Sequence, residues 1–96
     1  MAYEVVFLDI AKRDISDMID TLIEEYPDAA KRKYDGIMDV AKQLQDTPYM
    51  YEEYQFRKPY RRFIVEDYLG YYQVEEDTKT VKVYRILYYR RDTNML

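Results

Sequence analysis

Arg57, Lys58, Arg61 and Arg62 crowd four cations into six positions, and Arg90 and Arg91 add a second pair near the C-terminus. Guanidinium groups grip phosphates and carboxylates through paired N–H donors, so both clusters are candidates for contact with a target. Arginine cannot run acid–base chemistry, because it keeps its proton at neutral pH. The residues that usually move protons are missing: the 96-residue chain has no histidine and no cysteine. Histidine bases, thiol nucleophiles, thiolate zinc sites and disulfides are all excluded. Any catalysis has to run on carboxylates, Lys, Arg or Tyr.

Thirteen tyrosines raise the prospect of a platform on which bases stack. For Tyr68, Tyr72 and Tyr84 the ordinary role suffices: a strand residue with an apolar body and a wet tip. Tyr49, Tyr51, Tyr54 and Tyr60 fall in an irregular stretch and are candidates for partner docking. The acidic pairs Glu24–Glu25, Glu52–Glu53 and Glu75–Glu76 do not spell a metal or glycosidase site, since neighbours in a strand point to opposite faces. No cofactor and no metal is expected. Arg85, set among Val83, Tyr84, Ile86 and Leu87, reads as one half of a buried or half-buried ion pair.

The net charge of −4 is unevenly spread. Residues 1–48 carry six basic and eleven acidic side chains; residues 49–96 carry nine and eight. A local basic patch can therefore stand on an acidic molecule. The acidic balance counts against a dedicated nucleic-acid binder. Hydrophobic residues make up 48%, a globular composition for one domain spanning 1–96. No apolar run approaches the ~18 residues of a membrane span, and Met1 to Asp9 does not read as a secretory signal. The expectation is a soluble cytoplasmic protein.

The elements that must position these groups follow from periodicity. Tyr3–Leu8 is short, β-branched and aromatic, and predicts a strand. Asp9 is the candidate N-cap of a helix whose apolar face is Ile15, Met18, Ile19, Leu22 and Ile23. Pro27 ends that segment and can open the next helix, which carries the stripe Ala30, Tyr34, Ile37, Met38, Ala41 and Leu44. Asp46-Thr47-Pro48 closes it, and residues 49–59 are irregular. Arg61–Val65, Tyr68–Glu75 and Thr80–Tyr89 predict three further strands joined by short turns. The result is an α+β two-layer domain, β-α-α-β-β-β: an antiparallel helical hairpin on a mostly antiparallel sheet. In the last strand Val81 and Val83 have one parity and Ile86 the other. That requires either two part-buried faces or a bulge.

Arg61-Arg62-Phe63-Ile64-Val65, Tyr68-x-x-x-Tyr72-x-Val74-x-Glu76-Asp77 and Val83-x-Arg85-Ile86-Leu87-x-x-Arg90-Arg91-Asp92, in this order after two helices, resemble the RelE/ParE toxin superfamily of type II toxin–antitoxin systems. The resemblance covers nearly the whole chain and lies closer to ParE than to RelE. It implies a toxin that a cognate antitoxin neutralises in a hetero-oligomer, with a wrapping arm, and DNA gyrase as target. The RelE-like alternative implies a ribosome-dependent endoribonuclease acting on messenger RNA, with Arg62, Arg91 and a tyrosine such as Tyr60 or Tyr88 at its site. A degenerate toxin that keeps only antitoxin binding is a third possibility. Against the ribonuclease pattern, Tyr60 replaces a lysine, Leu69 replaces an arginine, and the chain stops at Leu96 before a terminal tyrosine. Loss of such groups removes proton transfer and charge stabilisation from phosphodiester cleavage. Gly70 stands where the family commonly has an aliphatic residue, and marks a bulge or a close backbone approach.

Overall fold

The β-branched run near the N-terminus forms strand β1, Glu4–Phe7, in a computed structural model that describes residues 2–90. Helix α1, Asp9–Leu22, and helix α2, Pro27–Leu44, follow, with Pro27 in the first turn of α2, where its missing N–H costs nothing. Strands β2, Arg61–Val65, β3, Tyr68–Glu75, and β4, Thr80–Tyr88, complete the chain order. The element order is the predicted one. Leu8, not Asp9, occupies the N-cap of α1, and Asp9 sits in the first turn, where its charge favours the positive end of the helix dipole.

The sheet order is β1-β4-β3-β2, so the first and last strands are neighbours. They pair in parallel, Glu4 opposite Thr80 through Phe7 opposite Val83, and the other pairs are antiparallel. The parity break in β4 is a bulge. Tyr71 faces Arg85 while the next residue, Tyr72, faces Val83, which leaves Tyr84 unopposed. Val81 and Val83 before the bulge and Ile86 after it thereby join one core cluster with Phe63, Tyr72 and the helices. Leu87 turns to the other face and packs with Tyr54 and Tyr71. Both sequence alternatives for β4 hold together.

Asp14 of α1 secures this irregular point. Its carboxylate receives Arg85 Nε at 2.8 Å and Nη2 at 3.0 Å, and the Ile86 backbone N–H donates to it at 2.9 Å. Both side chains are nearly buried, 13% exposed for Arg85 and 11% for Asp14. The carboxylate beside it pushes the Arg85 guanidinium further up from its already high range. The ion pair expected from the sequence is present.

The stripe of α2 is rotated from the expected one. Ala30, Lys33, Ile37, Val40 and Leu44 are buried, while Tyr34 is 40% exposed. Lys33 is buried although charged: its stem lies along the core and its Nζ meets Asp67 at 2.7 Å, above the Tyr68 ring. A lysine can thus occupy an inward position when its head has a partner.

Gly70 answers to close approach. A Cβ there would lie 2.0 Å from Phe63 Cζ, because the Phe63 ring of β2 lies across this strand position. Replacing Gly70 by Ala should therefore destabilise by about 1–3 kcal/mol in urea unfolding, although Ala is normally easier to order than Gly. Asp14→Ala should cost more, about 3–5 kcal/mol by the same assay, since it strands a buried guanidinium and an unpaired N–H.

Candidate target-binding surface

β2 is an edge strand, and the segment 49–60 wraps it. Tyr51 packs on the helix-covered side against Phe63 and Tyr72, with ring centroids 6.1 and 6.4 Å apart. Glu53 then bridges Arg61, and the Tyr54 N–H donates to Tyr60 C=O at 2.6 Å. Tyr54 emerges on the opposite, helix-free face, edge-on to Tyr71 at 5.5 Å. The chain returns through a turn in which Arg57 N–H donates to Tyr54 C=O and Tyr60 N–H to Arg57 C=O. A cis peptide joins Lys58 to Pro59 there. Arg57 and Lys58 stand exposed at its tip.

Alternation along β2 separates the two arginines of the cluster. Arg61 is structural in geometry: its Nη1 donates to Tyr51 C=O at 2.6 Å, and its guanidinium lies 4.8 Å from the Tyr49 ring centroid. Arg62 projects to the helix-free face, 4.7 Å from the Tyr54 ring centroid. It borders two grooves of about 430 Å³ each. Glu52, Glu53, Tyr54, Gln55, Phe56 and Ile64 line one; Ile64, Glu66, Asp67, Leu69 and Tyr89 line the other. Ile64 between them is 61% exposed and Phe56 75% exposed. Arg90, also exposed, donates from Nε to the Tyr89 hydroxyl at 2.9 Å. Arg62 thus lines one apolar groove, and Arg90 bonds Tyr89, another residue of its lining. Glu66 and Asp67 on its rim are held by Arg32 and Lys33, each at 2.7 Å.

The two tyrosines proposed beside Arg62 fall on opposite faces of the sheet. Tyr60 lies on the same face as Arg62, with its ring edge-on to Tyr84 at 5.1 Å. Tyr88 is on the other side of the sheet, packed on Tyr68 at 5.6 Å and bordering a small cleft with Asp14, Asp17 and Met18 of α1. Arg91 lies outside the described residues.

Sequence reasoning missed Tyr71. Its side chain is fully buried beneath Tyr54, and its hydroxyl has no hydrogen-bond partner among the described residues. Burial pushes its pKa up, against the opposing pull of the nearby Arg62. Alternation could have found it, since Tyr71 and Tyr72 must occupy opposite faces and both cannot share the helix-side core. Tyr72 is buried on that side, donates to Pro48 C=O at 2.8 Å, and is pushed up to about 12 by burial.

A second cluster ties the wrapping segment down. The Glu76 carboxylate accepts from Lys79 Nζ at 2.7 Å, from Tyr3 hydroxyl at 2.7 Å, and from the Tyr49 hydroxyl. It joins the start of β1, the β3–β4 turn and the start of the 49–60 segment. Lys79 first, then Tyr49 and Tyr3, hold its pKa down at about 2. Among the described residues no group of three or more Asp or Glu is arranged to hold a metal. Among the same residues no helix is long and apolar enough to cross a membrane.

A helical hairpin over a four-stranded sheet, with a cation-bearing open face, defines a small two-layer α+β domain. Residues 5–93 match the family model of the ParE toxin of the type II toxin–antitoxin system parDE, so the chain belongs to the ParE toxin family. The fold is also that of solved toxin–antitoxin assemblies. A chain of the chromosomal ParDE system from P. aeruginosa superposes with a TM-score of 0.73 at 18% identity, over 91% of this chain and 96% of that one. A chain of the RelBE2 toxin–antitoxin complex from Mycobacterium tuberculosis gives 0.65 at 17% identity, over 92% and 99%. No curated protein matches the chain by sequence.

The Glu76 cluster has a pH signature. A carboxylate whose folded pKa lies below its ordinary 4.5 contributes stability above that value and loses it as pH falls towards about 2. Glu66, lowered chiefly by its bond from Arg32, acts in the same direction. Melting temperature should therefore fall over that acidic window, and Glu76→Gln should make the fall shallower, as read by circular dichroism.

Proposed function

We propose that this toxin acts by occupying its target, DNA gyrase, through the helix-free sheet face, and that a cognate antitoxin neutralises it in a hetero-oligomer. The observation that carries this reading is the chemistry around Arg62. Ile64 and Phe56 are exposed beside it, and Leu69 and Tyr89 line the adjoining groove. An apolar centre with arginines at the margin is the make-up of a protein-binding patch, in which aromatic and Arg anchors supply most of the affinity.

Phosphodiester cleavage asks for more. It needs a proton acceptor, a proton donor and a cation gathered at one phosphate. Tyr88 is across the sheet from Arg62, Tyr60 is packed on Tyr84, and of the carboxylates that share a groove with Arg62, Glu52 and Glu53 are exposed to water while Glu66 and Asp67 are paired with Arg32 and Lys33. Exposed carboxylates are poor bases towards a hydroxyl at neutral pH. In this reading Arg57, Lys58, Arg62, Arg90 and Arg91 contact the target, and Arg61 positions the 49–60 segment. The antitoxin partner is supported by the family and by the toxin–antitoxin assemblies that share the fold.

The test uses purified toxin in a gyrase supercoiling assay and, separately, in cell-free translation. Supercoiling should be inhibited and translation spared. Arg62→Ala and Leu69→Glu should each raise the inhibitory concentration about tenfold, the equivalent of roughly 1.4 kcal/mol of binding. Codon-biased cuts in ribosome-bound message, abolished by Arg91→Ala, would replace this reading with the endoribonuclease. Loss of both effects, with antitoxin binding kept, would indicate a degenerate toxin.

A further inference from the structure

The far end of the helical layer carries a second surface, away from the open sheet face. Ile19 and Ile23 at the end of α1 and Pro27, Ala30, Lys31 and Tyr34 on α2 line an apolar groove of about 210 Å³. Its margin is unusually exposed for such side chains: Ile23 is 48%, Tyr26 60% and Tyr34 40% exposed. Ile23 and Tyr34 extend the apolar stripes of their helices beyond what the sheet covers. Lys31 contributes its stem, since its Nζ is turned to Asp35 at 2.6 Å.

Lys31 is neutralised by Asp35, and the charges that follow Ile19 and Ile23 along the chain are acidic. Asp20, Glu24 and Glu25 are exposed, and none has a cation partner among the described residues. They also crowd the C-terminal end of α1, whose last turn has no basic residue. Carbonyls at a helix C-terminus carry partial negative charge, so three carboxylates there oppose the dipole. Asp28, by contrast, stands in the first turn of α2, where the dipole favours it. The free chain thus holds an electrostatic conflict beside an uncovered apolar groove. A cation brought in from outside resolves that conflict.

We propose that the loop end of the α1–α2 hairpin is a docking site for an amphipathic helix of a partner protein, with Leu- or Ile-type anchors in the groove and Lys or Arg facing Asp20, Glu24 and Glu25. Apolar anchors supply the affinity and the flanking cations the orientation and the encounter rate. The site does not depend on which target the toxin acts on, and gyrase inhibition is not its readout.

Two labelled helical peptides test it on the full chain: one with a Leu stripe flanked by Lys, and its counterpart with every Lys replaced by Glu. In fluorescence anisotropy at about 0.15 M salt, where long-range attraction is largely screened, the Lys peptide should bind at least tenfold more tightly. Ile23→Ser and the pair Glu24→Lys with Glu25→Lys should each weaken it tenfold or more, without lowering the melting temperature. Asp77→Lys, in the distant β3–β4 turn, should leave it unaltered. Because the chain has no cysteine, Ile23→Cys offers a single thiol, whose maleimide labelling the Lys peptide should slow. Equal losses from Asp77→Lys would mean unspecific attraction to an acidic protein and would overturn the proposal, as would no binding by either peptide. A dimer of the unmodified chain in sedimentation that Ile23→Ser dissociates would overturn it too, by making a second copy the occupant.

Discussion

The carboxylate of Asp14 sits where three demands of this fold meet. The sheet must pass from its parallel half to its antiparallel half within one strand, β4. The bulge at Tyr84 shifts the parity of that strand, and α1 must lie close enough to cover the residues on both sides of the shift. A bulge and the end of β1 leave backbone groups of β4 without strand partners, and a helix cannot supply backbone donors or acceptors sideways. Asp14 resolves this by taking the Ile86 N–H and the Arg85 guanidinium together. The position of α1, the core side of Ile86 and the outward turn of Leu87 all follow. So does the second hydrophobic face, because Leu87 needs Tyr71 and Tyr54 to cover it.

That second face gives the molecule its asymmetry. One side of the sheet is closed by two helices and is occupied with stability. The other is closed only in part, by a wrapping segment that brings Tyr54 over Tyr71 and stops short of Ile64. The segment is held at its start by polar contacts, Arg61 to Tyr51 and Tyr49 to Glu76, and further along by Tyr54 on the second hydrophobic cluster. Cations and apolar side chains therefore share an open surface backed by a rigid sheet. A binding patch needs that combination, because a prearranged surface loses little freedom on association.

Much of this was legible in the sequence. The 3–4 spacing of Ile15, Met18, Ile19 and Leu22, the proline between the helices and the β-branched runs state the element order directly, since they act through local geometry. The pairing of β1 with β4 left no local mark, because a parallel neighbour is chosen by what remains uncovered after the chain has folded back. Lys33 lies outside the apolar stripe expected for the second helix and is nonetheless buried, because a long aliphatic stem can line a core when its charged head has a partner. Arg61 and Arg62 looked like one cluster in sequence and serve opposite faces, the ordinary result of strand alternation. Gly70 was recognised as unusual, while the ring that requires it, Phe63, sits on a neighbouring strand.

The adjacency of β1 and β4 has a bearing on how the chain comes into being. Glu4 finds its ladder partner only in Thr80, and the core residues Val81, Val83 and Ile86 arrive with that same late strand. During synthesis the two helices emerge early and must wait with their apolar stripes uncovered. Pairings of such long sequence separation are slow to form and leave partly folded chains exposed in the meantime. A nascent chain of this topology therefore cannot close its sheet or its core until its final strand is in place.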